Sequence, residues 1–259
     1  TIFDLACKSK GIQSYMIING LMTNNYMDEA KYATYINSYS SSIKENYFQG
    51  MDNIVAFGDP RMDSYPTSGI KNVNRVSPTI VIGASGFNST DLNSYTAVEF
   101  DFMYDILQVI DDFDNDVKII IKVRPNGYER QYIDFINKYF GKLDVSVAST
   151  LPMKKVLEKA DLYISIYSQT LFEASCMGIP VIYYKKDTEV INPPFDGKSE
   201  LVTIYDTQEL IQALNDFQVN RIRFDDFLDR DVMEKYIGPL DGKNLERNMN
   251  FIENILNNR

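Results

Sequence analysis

The sequence predicts an α/β protein built on a doubly wound parallel sheet. Three observations carry that expectation. Short apolar runs alternate with amphipathic helical stretches, several of the runs are apolar nearly throughout, and polar loops recur where runs end. Strand–helix alternation is what successive parallel crossovers require. Strands covered by helices on both faces have no polar side to show, so they lose the period-two pattern of a half-buried strand.

The strand candidates in chain order are SYMIIN (14–19), TYINSY (34–39), NIVAFG (53–58), TIVIGA (79–84), VKIIIKV (117–123), LDVSVA (143–148), LYISIY (162–167), PVIYY (180–184) and LVTIY (201–205). Helical periodicity is clearest over 96–113, where Phe102, Met103, Ile106, Leu107, Ile110 and Phe113 recur at intervals of three and four. Further helices are expected over 128–140, 153–159, 169–177 and 208–217. PTSGIKNVNRVSP (66–78) has no periodicity and reads as a linker. The predicted organisation is therefore the end of a first domain (1–66), a linker (67–78), a complete six-strand domain (79–223) and C-terminal helices (224–259) broken at GPLDG. ENYFQG (45–50) resembles a protease-cleavage scar, but it lies inside a continuous pattern and is read as native.

The bulk properties exclude several functions. A net charge of −10 over 259 residues argues against broad nucleic-acid binding, while leaving room for a locally positive anion pocket. There is no histidine, which removes His-based acid/base chemistry, catalytic triads and most zinc sites; Cys7 and Cys176 are too far apart to supply one. Two distant cysteines suit buried thiols in a reducing compartment. No run reaches the ~18 apolar residues of a membrane span, and no signal peptide opens the chain. Abundant Asn, Ile, Lys and Tyr suggest a bacterium with an AT-rich genome.

In a doubly wound sheet, ligands bind beyond the carboxyl ends of the strands. Three polar loops fall there. GASGFNST (83–90) begins with a glycine that permits close backbone approach, and reads equally as an anion loop or a plain turn. In KVRPNGYER (122–130), Lys122 and Arg124 alternate at a strand end and share a face, suiting a phosphate or simply reaching water. In SIYSQTLFEA (165–174), Ser168 or Gln169 opens a helix whose N–H groups favour an anion, and Thr170 adds a hydroxyl. Capping explains Ser168. It does not explain Glu173, a carboxylate one turn in and able to accept from vicinal hydroxyls.

Residues 149–184, STLPMKKVLEKADLYISIYSQTLFEASCMGIPVIYY, resemble the donor-nucleotide region of GT-B fold glycosyltransferases. TYINSYSSSIKENYFQGMDNIVAFGDPRMDSY (34–65) is similar to the segment before the interdomain linker in bacterial capsule and surface-polysaccharide transferases, including relatives of CDP-glycerol glycerophosphotransferase. GIQSYMIING (11–20) resembles their "GI-s---qHG" strand. The likeness covers nearly the whole chain but only the last part of the family's first domain, as if much of the acceptor side lay outside it. Two departures stand out: Asn19-Gly20 replaces "HG", and Lys122-Val123-Arg124-Pro125 replaces "K-HP". Arg124 supplies a fixed cation there, whereas Asn19 cannot act as a base.

The resemblance implies a GT-B type, Rossmann-like fold and a metal-independent glycosyltransferase with no cofactor. It would move a sugar from a UDP-, CMP- or CDP-linked donor to a hydroxyl of a surface or capsular glycan, in the cytoplasm or peripherally at the inner membrane face. Ser168, Gln169, Thr170, Lys122 and Arg124 would hold phosphates, Glu173 the ribose, Gly83 and Ser85 the cleft wall, and Ser149–Pro152 the base. No catalytic residue and no metal ligand is assigned, and the chain by itself would turn over weakly or not at all. Three alternatives share the fold: a glycerophosphotransferase-like enzyme, a nucleotide-sugar epimerase, and a non-catalytic nucleotide- or glycan-binding module.

Overall fold

The strands of the computed structural model coincide with the apolar runs, and they pair in parallel in two sheets. The structure describes residues 2–20, 32–65, 69–84, 96–113, 116–125, 129–186, 190–219 and 222–257. Strands β1 (Tyr15–Ile17), β2 (Tyr35–Asn37) and β3 (Ile54–Val55) form a small sheet in that order. Strands β4 (Thr79–Gly83), β5 (Lys118–Lys122), β6 (Val145–Ala148), β7 (Leu162–Ser165), β8 (Val181–Tyr184) and β9 (Thr203–Ile204) form the larger one, in the order β6-β5-β4-β7-β8-β9. The order reverses between β4 and β7, which makes their junction the topological switch point.

Helices cover both faces of the larger sheet, and the strand sequences show why. Every residue of β7 and β8 is buried. Leu162 and Ile164 pack with Ile182 and Tyr184 on one face, together with Phe102, Met103, Ile106 and Leu107 of α3 (Thr96–Asp111). Tyr163, Val181 and Tyr183 face the other way. They meet α5 (Met153–Leu157), α6 (Thr170–Cys176) and α9 (Arg230–Ile237) through residues such as Leu157, Phe172 and Tyr236. A strand whose side chains alternate between two dry clusters has to be apolar throughout. Helix α4 (Glu129–Tyr139) packs beside β6, and α7 (Thr207–Val219) beside α3 and β9.

Helices α1 (Ile2–Ser9) and α2 (Ser41–Tyr47) belong to the first part of the chain. Tyr47 and Phe48, from the ENYFQG stretch, lie in the small sheet's core. After the short helix α8 (Ile222–Asp225) and α9, the last helix, α10 (Asn244–Asn257), returns to that small sheet. Phe251 sits 5.2 Å, centroid to centroid, from each of Tyr15, Tyr35 and Phe57. Buried Asn37 is fully engaged: its Nδ2 donates to Gly58 O and Asn248 Oδ1, both at 2.9 Å, and its Oδ1 accepts from the Tyr39 and Phe57 amides. Where α9 ends, Gly238 adopts φ 88°, ψ −174°; a Cβ there would lie 2.2 Å from Tyr39 O and 2.7 Å from Gly58 Cα. Only glycine lets these backbones meet. Among the described residues, no helix is long and apolar enough to cross a membrane.

Candidate functional site

The chain leaves β4 towards α3 on one face of the larger sheet and leaves β7 towards α6 on the other, so a crevice opens at their carboxyl ends. It is a cleft of about 430 Å³. Of the residues expected from sequence, Gly83, Lys122, Arg124, Ser149, Pro152, Ser168, Thr170 and Glu173 all line it. That volume is within the usual range for small-molecule sites. Ser85 lies outside the described residues, as do 86–90 of its loop and 126–128 of the Lys122–Arg130 loop.

Each wall has a local cause. At Gly83 a Cβ would come within 2.0 Å of Tyr163 Oη, so a side chain there would displace the phenol from the cleft floor. Ser165 Oγ donates to Gly83 O at 3.1 Å and joins the ends of the two central strands. Burial pushes the Tyr163 hydroxyl well above its ordinary value, so it stays protonated. It forms a chain with Thr170 Oγ1 and Ser168 Oγ, the latter pair 2.7 Å apart. Ser168 Oγ also accepts from the Thr170 amide at 3.3 Å, a weak local bond that opens α6. Gln169 is the N-cap of α6 and makes no side-chain capping bond, so Ser168 braces the turn before the helix while lining the cleft.

The cations behave differently from each other. Lys122 Nζ donates to Val123 O at 2.8 Å and Ser149 O at 2.9 Å, tying the ends of β5 and β6 together, and desolvation lowers its pKa. Part of its role is therefore structural. Arg124 lies two residues beyond the end of β5, not on the strand face it was expected to share with Lys122, and is exposed at the cleft rim. Ser149 Oγ donates to Glu129 Oε2, which anchors the opposite wall to α4.

Gln169 departs from its expected place. It does not line the cleft: its Nε2 donates to Asp59 Oδ2, and its Oε1 accepts from Arg61 Nη2 at 2.8 Å. The chain turns between Ser168 and Thr170, so the residue between them faces the first sheet rather than a phosphate. Asp59, 1 % exposed, also holds the Arg61 guanidinium at 3.0 Å. Sequence reading missed this cluster. The Asp-Pro-Arg run (59–61) signals a capped turn, and Asp59 does cap Pro60–Ser64, but no spacing rule brings it to Gln169.

Glu173 reaches the cleft from α6, half-buried. Burial raises its carboxyl above the ordinary value; a hydrogen bond from Tyr65 and the charge of Arg61 pull it back. A larger hollow, about 590 Å³, lies behind α6 against α9. Its rim carries Glu200, Asp225, Asp226 and Asp229, which oppose a phosphate, and none of the expected residues reaches it.

Residues 12–254 match the family model of CDP-Glycerol:Poly(glycerophosphate) glycerophosphotransferase. The chain belongs to this family. No curated protein sequence is significantly similar to this family member. Among solved structures, S. aureus MnaA with UDP superposes at a TM-score of 0.68, with 14% identity over 98% of this chain and 72% of that one. The UDP-GlcNAc 2-epimerase of Neisseria meningitidis bound to UDP-GlcNAc gives 0.65, with 15% identity over 96% and 72%. Anabaena HepE in complex with UDP and glucose gives 0.59, with 10% identity over 97% and 75%. At such identities the likeness is one of fold, and that fold is GT-B type, as the sequence predicts. The glycerophosphotransferase family member therefore has Rossmann-like parallel sheets with Asn19 and Arg124 at the two positions where the expected pattern carries histidine.

Proposed function

We propose that this family member binds a nucleoside-diphosphate-activated donor in the β4–β7 cleft and transfers its glycosyl group to a hydroxyl of a surface glycan. The observation that carries this reading is the meeting of Lys122, Arg124, Ser168, Thr170 and Glu173 around one switch-point cleft. The diphosphate would lie between the cations and the hydroxyl chain. Ribose would meet Glu173, and the base would meet the 149–152 wall. The acceptor hydroxyl oxygen attacks the anomeric carbon and gives up its proton to a base, the bond from carbon to phosphate oxygen breaks, and the nucleoside diphosphate leaves with growing negative charge. Stabilising that charge is the main catalytic task, and fixed cations in a partly dry cleft do it without reorganising. The UDP or UDP-sugar bound by the solved relatives supports a donor of this class.

A second reading has its own support in the family match: the donor is CDP-glycerol, the acceptor oxygen attacks phosphorus, and CMP leaves. The same cations would serve. The atom attacked, the group transferred and the leaving group differ.

Thermal unfolding with UMP, UDP, CMP, CDP, GDP and ADP, without added metal, tests both. A pyrimidine diphosphate at ~100 times its dissociation constant should add about 2.7 kcal/mol. CMP binding as tightly as CDP would favour the second reading. Stabilisation by none of the six, or only with magnesium or manganese present, would overturn the assignment.

A further inference from the structure

Tyr65 was not among the residues expected at the site. It follows the Pro60–Ser64 turn in the first part of the chain, yet its hydroxyl donates to Glu173 Oε2 on α6. The turn is fastened on both flanks. Lys154 of α5 donates to Ser64 O at 2.6 Å and stands 5.9 Å from the Tyr65 ring centroid. On the other side, Arg61 and Asp59 hold Gln169, four residues before Glu173. The phenol therefore approaches Glu173 from a fixed base, and the carboxylate is held by a group from outside the six-strand domain.

A glutamate side chain has three rotatable bonds, and an unanchored one at a cleft would sample several rotamers. A carboxylate offers about four acceptor positions, so one hydrogen bond from Tyr65 orients it and leaves capacity for a ligand. Among the described residues, Oε1 has no protein donor. We propose that Tyr65 is a positioning residue of the nucleotide site: its hydroxyl fixes the Glu173 carboxylate so that the remaining acceptor positions meet a ribose hydroxyl. The 59–65 turn is then part of the donor site, although it lies before the linker. This inference rests on the donor-site reading above.

The surrounding charges agree with the geometry. Burial raises the Glu173 carboxyl, Tyr65 and Arg61 lower it, and Asp59 raises it. The other titratable neighbours, Tyr163 and Cys176, are pushed up by burial, the thiol to about 12, and both stay neutral near pH 7. Removing the phenol hydroxyl should therefore let Glu173 take up its proton at a higher pH. A protonated carboxyl is a poorer acceptor for ribose.

The test is calorimetric titration of UDP and CDP, and of their 2′-deoxy forms, at about pH 6 and about pH 8. The samples are the unaltered chain, Tyr65→Phe, Glu173→Gln and the double variant. Phenylalanine keeps the ring that packs beside Lys154. Tyr65→Phe should weaken the ribonucleotide roughly fivefold, more at the lower pH, weaken the 2′-deoxy form less, and add nothing once Glu173 is Gln. Lys154→Met, which loosens the turn without touching Glu173, should give a smaller loss of the same sign. If Tyr65→Phe binds as the unaltered chain does while Glu173→Gln is weakened, the positioning role is wrong and the donor site stands. Equal weakening of ribo- and 2′-deoxynucleotides, or an additive loss in the double variant, also overturns it. If the unaltered chain binds neither nucleotide, the donor-site reading fails and takes this inference with it.

Discussion

The two sheets end differently at their carboxyl edges. At the three-stranded sheet, the polar side chains bond to one another: Asn37 to Asn248, Tyr39 to Arg61, and Arg61 to Asp59. At the six-stranded sheet, the polar side chains of Lys122, Arg124, Ser168, Thr170 and Glu173 surround a cleft while keeping local partners, such as Ser168 with Thr170 and Glu173 with Tyr65. The first edge is closed by its own partners and by α10; the second leaves a volume that suits a nucleotide. Buried polar groups are costly unless satisfied, so the first arrangement holds the molecule together. Polar groups that line space keep hydrogen-bonding capacity for a ligand. The comparison separates positions that govern stability from positions that govern binding.

The largest effect is expected at the closed edge. Gly238→Ala forces a Cβ against Tyr39 O and Gly58 Cα at a backbone conformation reserved for glycine. It should cost roughly 3 kcal/mol or more in urea unfolding. A loss under about 1 kcal/mol would show that the strands and α10 adjust freely, and the contrast between the edges would fail.

At the open edge the effect should fall on ligands rather than on folding. Arg124→Ala should weaken diphosphates by about 1.5–3 kcal/mol while leaving the nucleoside and the unfolding midpoint nearly unchanged. Equal weakening of nucleoside and diphosphate would move Arg124 to the structural side. Lys122 is a poorer test because its ammonium also ties two strand ends together.

The smallest effect is on the ligand-free stability of Glu173→Gln. Burial raises the Glu173 carboxyl in the folded state, so the stability it lends is present at low pH and lost as pH rises through the folded value. Gln does not ionise and avoids that loss. The variant should match the unaltered chain in acid and become the more stable of the two near neutrality. Urea unfolding in acid, below the ordinary carboxyl range, and near neutrality checks it, and a variant less stable at neutral pH would show that ionised Glu173 holds the fold together.

The sheet and the cleft were largely legible in the sequence because both follow from local pattern. Continuous apolar runs such as LYISIY and PVIYY mark strands buried on both faces, and the residues that end them fall at the carboxyl edge by topology alone. What could not be read was long-range pairing. Tyr65 meets Glu173 across 108 residues and Asn37 meets Asn248 across 211, and no period or spacing encodes such contacts. Gln169 was misplaced for a related reason: its partner Asp59 lies 110 residues earlier in the chain. Helix α2 escaped because it is seven residues long and opens on serines, which are weak helix formers held here by the Ser40 cap.

The most direct test is the ribose preference of Glu173. UDP and CDP, each with its 2′-deoxy form, are titrated into the unaltered chain and into folded Glu173→Gln. If Glu173 receives a ribose hydroxyl, the substitution lowers ribonucleotide affinity by about tenfold or more, equivalent to 1.5–3 kcal/mol for a hydrogen bond to a charged group. The gap between ribo- and 2′-deoxynucleotides should narrow with it. Unchanged ribonucleotide affinity in the folded variant would contradict the account and leave Glu173 as an ordinary polar residue in the first turn of α6.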